Sequence, residues 1–162
     1  MAKSPTRSGK RPGDKDITRN REAAFRYELL ETFECGIALS GTEVKSLREG
    51  ASHMRDAYAV MNNGELWLVG AHIPPYAAAS RFNHPPDRDR KLLMHRREID
   101  RLAGQIQTKG LTLVPTRLYF KGSFVKVEIA LARGKDRFDK RHTIKERDMK
   151  READRDMREA RR

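Results

Sequence analysis

The stretch that decides the fold is residues 112–132, TLVPTRLYFKGSFVKVEIALA. In its second half the apolar residues Val125, Val127 and Ile129 alternate with residues suited to an opposite face. A period of two is the pattern of a half-buried β-strand. Residues 121–123, Lys-Gly-Ser, interrupt the pattern and suit a tight turn. The stretch therefore predicts two strands joined by a turn: Thr112–Phe120 and Phe124–Ala132.

Two other segments also predict strands. The pair Asn63-Gly64 tolerates positive φ at both central positions of a hairpin turn, and apolar runs flank it at 58–61 and 66–69. Upstream, residues 27–39 contain two apolar runs around Gly36. This segment predicts one long strand bent at that glycine, or two strands in succession.

Three segments predict short helices. Residues 40–43, Ser-Gly-Thr-Glu, have the spacing of a capping box, and Gly50 can end the helix that follows. Residues 92–108 carry apolar side chains at helical spacing and are closed by Lys109-Gly110. Residues 18–24 suit one further short helix.

The number of short strands predicts a mainly β fold with short helices. About 115 residues form this body, which suits a small closed β-barrel of the oligonucleotide-binding type with flanking helices. Two charged ends flank it. The predicted organisation is a flexible basic N-terminal arm (1–16), a β-barrel RNA-binding domain (17–132) and a basic C-terminal tail (133–162).

The tail contains thirteen Lys or Arg residues and eight Asp or Glu residues. So few apolar residues cannot offset the entropy of ordering the chain, which predicts a disordered or conditionally helical segment. In a helix, Met149, Ala153 and Met157 would form one narrow apolar stripe beside a stripe of arginines. Such a helix is marginal alone and is stabilised by binding along phosphates.

The charge of the chain indicates its class of partner. The formal net charge is +12, and most of it lies in the two ends. A basic tail on a small body favours a polyanion, and RNA fits better than a membrane because the tail lacks a broad Trp, Phe and Leu face. No run reaches transmembrane length and the first residues lack the apolar core of a signal peptide, so we expect a cytoplasmic protein.

The sequence gives no sign of catalysis. A single cysteine excludes an intramolecular disulfide and a cysteine-cluster zinc site, and the five histidines lack ligand spacing. Phosphate-binding and serine-nucleophile motifs are absent. A metal-dependent nuclease would need a carboxylate or histidine cluster that the chain does not contain. We therefore expect a protein that is not an enzyme and holds no metal or cofactor.

A cluster of cations surrounds the apolar run Leu92-Leu93-Met94. It consists of Arg88, Arg90, Lys91, Arg96 and Arg97. One interpretation is a solvated loop and helix start. The other is a basic patch with an apolar ridge against which a sugar or base packs.

Several motifs in order resemble the small protein B family, the protein partner of transfer-messenger RNA. They are Glu31-Thr-Phe-Glu-Cys-Gly-Ile37, Gly41-Thr-Glu-Val-Lys-Ser-Leu-Arg48, Arg90-Lys-Leu-Leu-Met-His-Arg-Arg-Glu-Ile-Asp100, Ala132-Arg-Gly-Lys135, Asp139-Lys-Arg141 and Ile144-Lys-Glu-Arg147. The resemblance runs from about Asn20 to Arg151.

The resemblance implies a function in ribosome rescue. Proteins of this family bind the tRNA-like domain of transfer-messenger RNA and deliver it to stalled ribosomes for trans-translation. Their tail occupies the small-subunit decoding centre and the empty message channel, where it becomes helical. The alternative is a general ribosome- or initiation-factor-like RNA-binding barrel without this specificity. Neither reading involves a membrane or a small-molecule substrate.

The resemblance also assigns residues by position. For the tRNA-like domain these are Asn20, Glu34 and Leu93, and we add Lys45, Arg48, Arg90 and Lys91 as expected phosphate contacts near that face. For the decoding centre and message channel they are Phe25, Gly134, Asp139, Lys140, Arg141, Ile144, Lys145 and Arg147. Many relatives carry His where Phe25 stands, and the family's Asn-His-Asp-Pro loop reads Asn83-His84-Pro85-Pro86 here.

Overall fold

The computed structural model describes residues 13–50, 52–79 and 81–160. Residues 1–12 of the predicted arm and 161–162 of the predicted tail lie outside this range. The elements in chain order are β1 (Asp14–Arg19), α1 (Ala23–Arg26), β2 (Tyr27–Ile37), α2 (Gly41–Arg48), β3 (Tyr58–Asn62), β4 (Glu65–Val69), β5 (Arg90–Leu93), α3 (Arg96–Lys109), β6 (Thr112–Lys121), β7 (Phe124–Gly134) and α4 (Arg137–Glu159).

The strands form one antiparallel sheet in the order β1-β6-β3-β4-β5-β2-β7, and β6 also pairs with β7. Strand β7 takes one edge of β6 from Thr112 to Lys121. On the other edge β3 pairs at Leu113 and β1 pairs from Arg117 onward. The mainly β fold with short helices is confirmed, and its pairings run in a circuit from β6 through β3, β4, β5, β2 and β7 back to β6.

The apolar faces of these strands meet in one core. Leu66, Leu113, Val127 and Ile129 are at most 1% exposed, and Leu102 brings α3 against the same cluster. Cys35 belongs to this core, and burial raises the pKa of its thiol to about 12. The lone cysteine is therefore a packing residue. Among the described residues, no helix is both long and apolar enough to span a membrane.

The predicted turns and helix ends are confirmed. Asn63 and Gly64 have φ values of 51° and 73°, which is the left-handed conformation that this hairpin turn requires. Ser40 and Glu43 form the capping box of α2, with the Ser40 amide donating to the Glu43 carboxylate at 2.9 Å. Gly110 ends α3 in the left-handed region at φ 61°.

One predicted helix begins too early. Residues 90–93 form β5, which pairs with β4 at Arg90–Leu92 and with β2 at Leu92–Leu93. The helix begins only at Arg96. Strand pairing on both sides satisfies more backbone groups than one extra helical turn would, so tertiary context overrides the apolar periodicity.

The other predicted helix, at 18–24, is also wrong. Thr18 and Arg19 of that segment belong to β1, residues 20–22 form a link, and α1 is a single turn at Ala23–Arg26. Residues 14–16, which the sequence placed in the flexible arm, pair with Tyr119–Lys121 of β6. The free outer edge of β6 offers these residues hydrogen-bond partners, so they join the sheet.

The long segment at 27–39 forms one strand, and its irregularity lies elsewhere than predicted. The register against β7 shifts between Leu29 and Glu31, whereas Gly36 remains paired with Lys126. Gly36 also pairs with Leu93 of β5, so the glycine joins two neighbouring strands rather than bending one. At the other end of the body, β7 continues to Gly134 and α4 follows, covering most of the predicted tail.

Candidate nucleic-acid interface

Glu34, the predicted RNA-binding residue of β2, lies on the outer face of the sheet. Side chains alternate along a strand, so Cys35 and Val127 point to the core while their neighbours point outward. Glu34 is paired with Glu128 and Gly36 with Lys126 on this outer face.

Two donors hold the Glu34 carboxylate. The Tyr119 hydroxyl donates to Oε2, and Lys121 Nζ donates to Oε1 at 2.8 Å. Partial burial would raise the pKa of Glu34, but the hydrogen bonds from Lys121 and Tyr119 outweigh it and hold the pKa below its ordinary value. Glu34 is therefore a fixed, ionised acceptor at neutral pH.

A chain of contacts supports this acceptor from behind. Burial and the bond to Glu34 raise the pKa of Tyr119, so its hydroxyl keeps its proton and donates. The Arg117 guanidinium lies 3.9 Å from the centroid of the Tyr119 ring and pairs with Asp14 of β1 at 3.2 Å. Strand β1 is thus connected to the predicted site through two buried side chains.

Leu93 lies beside Glu34 on the same face. It is 50% exposed, and its partner across the strand pair is Gly36, two residues from Glu34. A hollow of about 420 Å³ opens next to it. The residues around this hollow include Ile37, Leu39, Val44, Leu93, Phe124 and Lys126.

Phe124 is a surface residue that the sequence reasoning missed. Its side chain is 70% exposed at the start of β7, on the opposite side of the hollow from Leu93. The signal was present in the sequence, because the alternation that buries Val125 and Val127 places Phe124 on the outer face with Lys126. Tyr119 and Lys121, which hold Glu34, carried no comparable signal.

Three of the four added cations are exposed or half-exposed. Arg48 of α2 is exposed, and Lys45 Nζ lies 5.7 Å from the centroid of the Tyr76 ring. Lys91 of β5 pairs with Glu65 at 2.7 Å, and its side chain is 41% exposed. These ammonium and guanidinium groups remain accessible to an anion.

Arg90 is the exception and corrects the sequence reasoning. Its side chain is completely buried and donates to Glu43 at 2.8 Å and to the carbonyls of Ala71 at 2.7 Å and Pro86 at 2.9 Å. A guanidinium with these partners has no free surface for a phosphate. Arg90 belongs to the interior, where it neutralises the buried Glu43.

The Glu43 carboxylate is charged despite its burial. Burial would raise its pKa, but hydrogen bonds from Arg88, the Ser40 amide and Arg90 hold the pKa below the ordinary value. Arg88 donates at 2.6 Å and 2.7 Å. This carboxylate serves the α2 cap and the loop leading to β5 rather than an external ligand.

The loop with the altered motif is held by the side chains of Asn83 and His84. Asn83 exchanges two hydrogen bonds with the Tyr76 backbone, at 2.9 Å and 3.1 Å. The buried His84 ring bonds to the Thr42 hydroxyl at 2.9 Å and the Ile73 carbonyl at 3.0 Å. Pro85-Pro86 follows where the family motif has Asp-Pro. The hydrogen bonds of Asn83 and His84 are present with this Pro-Pro sequence.

Asn20 directly follows β1 and is held on β6. Its side-chain nitrogen donates to the Pro115 carbonyl at 3.1 Å, and its amide donates to the Thr116 carbonyl at 2.9 Å. These bonds fix the link between β1 and α1 on β6. In the described structure Asn20 therefore shapes the segment that carries Phe25.

The base of α4 is tied to α1. The Lys135 amide donates to the Arg26 carbonyl at 3.1 Å, and Lys135 Nζ donates to the Ala24 carbonyl at 3.0 Å. The Arg147 guanidinium lies 5.9 Å from the centroid of the Phe25 ring. The structure thus brings Phe25, Gly134 and α4 together, away from the outer face at Glu34.

Beyond this base α4 is a solvent-exposed helix. Ile144 is 47% exposed, and Asp139 lies in the first turn, where a negative charge suits the helix dipole. Lys140 is half-buried, while Arg141, Lys145 and Arg147 are exposed. Among the described residues, no group of three or more His, Cys, Asp or Glu side chains could hold a metal ion.

Comparison with known proteins gives consistent matches over most of the chain. The family model "SmpB protein" matches residues 17–159. An SsrA-binding protein of Gloeothece citriformis is 56% identical over 142 residues, which is 87% of this chain and 92% of that protein. An SsrA-binding protein of Mycolicibacterium gilvum is 53% identical over 157 residues, 97% and 94% of the two chains.

A solved structure is also similar. It is described as "tmRNA-SmpB: a journey to the center of the bacterial ribosome", and one of its chains is 47% identical to this chain with a TM-score of 0.63. The match covers 78% of this chain and 93% of the other.

Proposed function

The chain belongs to the SmpB protein family, and from that membership we propose that it is an RNA-binding adaptor of ribosome rescue. It binds the tRNA-like domain of transfer-messenger RNA and delivers this RNA to stalled ribosomes for trans-translation. The observation that carries the proposal is the placement of Glu34 and Leu93 on one exposed face, in a chain whose family match spans 17–159.

The body supplies the recognition of structured RNA. RNA helices are recognised largely by shape and by sugar and phosphate contacts, and their unpaired loops by base contacts. Glu34 offers a charged acceptor for base or 2′-hydroxyl donors, while Leu93 offers an apolar contact. Lys45, Arg48 and Lys91 contribute phosphate contacts.

The second group of residues serves the ribosome. The tail from residue 133, containing α4, enters the decoding centre and the empty message channel, and its helix is stable only when bound there. The exposure of its apolar residues supports a conditional helix. The residues of this surface are Phe25 at its base, with Gly134, Asp139, Lys140, Arg141, Ile144, Lys145 and Arg147, whereas Asn20 stays with the residues that hold the tRNA-like domain.

The sheet forms a closed β-barrel of the oligonucleotide-binding type. The circuit of pairings through β6 supports closure, and such barrels commonly bind nucleic acids on one face. The division into an arm (1–16), a barrel domain (17–132) and a tail (133–162) follows the change in charge. The protein acts in the cytoplasm by binding alone, without a catalytic step of its own.

Competition for binding tests this function. Labelled tRNA-like RNA is bound to the full chain at physiological salt and challenged with unlabelled tRNA-like RNA or a single strand of equal length. We expect the tRNA-like RNA to displace the label at a much lower concentration. Equal displacement by both competitors would contradict the proposal and favour the general ribosome- or initiation-factor-like alternative.

Two variants sharpen this test. Glu34→Gln preserves the shape of the side chain but removes its charge, so the affinity for tRNA-like RNA should fall. Glu31→Gln is the matched control, since Glu31 lies on the same strand but pairs with Arg101. A loss of the same size in both variants would point to general electrostatics instead of recognition by Glu34.

A further inference from the structure

Two exposed apolar side chains line the outer-face hollow, one on each of the strands β5 and β7 that flank β2. Phe124 is 70% exposed and Leu93 is 50% exposed, and the space next to them measures about 420 Å³. Sites for small molecules span roughly 300–1,000 Å³, so the hollow has the volume of a site for one small group.

Gly36 keeps the hollow open. Its φ is not in the left-handed region, so the backbone does not require glycine there. A Cβ atom at this position would lie 3.2 Å from the Leu93 Cβ atom. The missing side chain therefore leaves room at the wall that Leu93 forms.

The walls of the hollow are held by the sheet. Phe124 pairs with Lys121 directly after the turn at Gly122, and β7 is paired with both β6 and β2. At Phe124 itself the pairing is with β6 alone, since the pairing of β7 with β2 begins at Lys126. Strand pairing thus holds the backbone from which Phe124 projects, which lowers the entropic cost of binding a ligand against it.

The charges around the hollow favour a nucleotide over an apolar peptide. Lys126 lines the hollow and forms no ion pair within the described ranges. Lys121 is the strand partner of Phe124, but its ammonium group is bound to Glu34, so Lys126 is the cation that remains for a ligand in the hollow. A phosphate beside an inserted base would pair with Lys126, whereas an apolar peptide would leave this ammonium group without a counter-charge.

We propose that this hollow binds one unstacked base of the RNA partner, with the Phe124 ring as its stacking surface and Leu93 as the opposite wall. Unpaired loop bases of structured RNA are commonly held by stacking on aromatic side chains. The inference rests on the proposed function, because it assumes the tRNA-like RNA as the ligand. It adds Phe124, Gly36 and Lys126 to the recognition site.

The test measures the affinity of the full chain for tRNA-like RNA in Phe124 variants. Phe124→Leu keeps an apolar side chain but removes the ring, and we expect a loss of roughly tenfold, within the range for one stacked base. Phe124→Trp keeps a stacking ring and should bind like the original chain. Its indole fluorescence should change on RNA binding, beyond the change seen from Trp67 alone.

The matched control is Phe82→Ala. Phe82 is 88% exposed but lies outside the hollow, so its replacement should leave RNA affinity unchanged. Gly36→Ala should weaken RNA binding by filling the hollow without touching Phe124. Circular dichroism of each variant establishes that the fold is intact.

The outcomes separate this inference from the function on which it rests. If the original chain binds the RNA and Phe124→Leu binds it with unchanged affinity, the stacking site is overturned. The hollow would then be a contact for a protein or for a second copy of this chain. Equal losses in Phe124→Leu and Phe82→Ala would also overturn it. Failure of the original chain to bind tRNA-like RNA would instead overturn the proposed function.

Discussion

At the scale of single residues, the Glu34 carboxylate depends on its two donors. Its side chain is 40% exposed, and its partial burial alone would raise its pKa above the ordinary value. The bonds from Lys121 and Tyr119 stabilise the ionised form and lower this pKa. Ionised Glu34 therefore stabilises the fold above its unfolded pKa, and this contribution is lost as the pH falls through its lower folded pKa.

Tyr119→Phe tests this coupling. The variant removes the donor to Oε2, so the pKa of Glu34 should rise towards its ordinary value, measured by carboxyl NMR titration. The free energy of unfolding should fall by about 1 kcal/mol at pH 7, which is below the ~1.5–3 kcal/mol of a bond to a charged group because the carboxylate is partly exposed. Urea unfolding at pH 3 should show a smaller difference. Equal differences at both pH values would contradict the coupling.

Arg90 has a structural role, although its charge suggested a phosphate contact when only the sequence was considered. Removing one partner of a buried ion pair leaves the other charge uncompensated. Arg90→Met should therefore lower the free energy of unfolding by about 3 kcal/mol in urea denaturation at pH 7. Arg48→Met, at an exposed position, should change it by less than about 0.5 kcal/mol. A fully stable Arg90→Met variant that had lost RNA affinity would restore the phosphate-contact prediction.

The contrast between Arg90 and Phe124 shows what the sequence could predict about the site. Alternation along β7 places Phe124 outside, so its exposure was predictable. The burial of Arg90 depends on Glu43, Ala71 and Pro86, which are brought to it by three separate segments. No local pattern contains that information, because a charged residue is buried only where distant partners converge on it.

At the scale of elements, local signals predicted the turns and helix caps. Strand pairing determined which of the remaining segments became strands. The Asn63-Gly64 turn and the α2 capping box are set by residues within four positions of one another. Strands β1 and β5 form because a neighbouring strand edge is free to receive them. From the sequence alone, part of β1 was assigned to the flexible arm and part of β5 to a helix. Only pairing in the assembled sheet shows that both segments are strands.

Helix α4 depends on a small number of contacts at its base. Lys135 Nζ donates to the Ala24 carbonyl at 3.0 Å and approaches the Thr143 hydroxyl at 3.4 Å. Most of the helix beyond is exposed, so its stability is local.

Lys135→Met removes the tether between α1 and α4. Amide hydrogen exchange around Thr143 should become faster by about tenfold, which is the lower end for the loss of one bond from a charged donor. Exchange in β6 and β7 should not change. Lys145→Met is the control, because Lys145 is exposed on α4. Equal acceleration in both variants would indicate a loss of helix charge balance rather than of the tether.

At the scale of the whole molecule, the two surfaces are separate. Glu34, Leu93 and Phe124 lie on the outer face of the sheet, whereas Phe25 and Gly134 lie at the base of α4. Net charge is concentrated outside the body, with thirteen basic and eight acidic residues after position 132. A tail with charges so close to balance adds less phosphate affinity than its number of cations suggests.

This separation predicts the effect of ending the chain after Lys135. The outer face keeps all of its residues and contacts, so affinity for tRNA-like RNA in a gel shift should fall less than tenfold. Rescue of ribosomes stalled on a message without a stop codon should be abolished, because α4 is absent. A hundredfold loss of RNA affinity would contradict this division of roles.

A second variant separates the helix of the tail from its charge. Ile144→Pro keeps every charged residue but interrupts α4, at a cost of about 3 kcal/mol to the helix. If the tail acts by forming a helix in an empty message channel, this variant binds tRNA-like RNA normally and fails in rescue. If it acts only as a flexible cation, rescue survives. The same stalled-ribosome assay decides between these two explanations. Ile144→Pro and the chain ending at Lys135 both keep the outer face intact, but only Ile144→Pro keeps the charges of the tail.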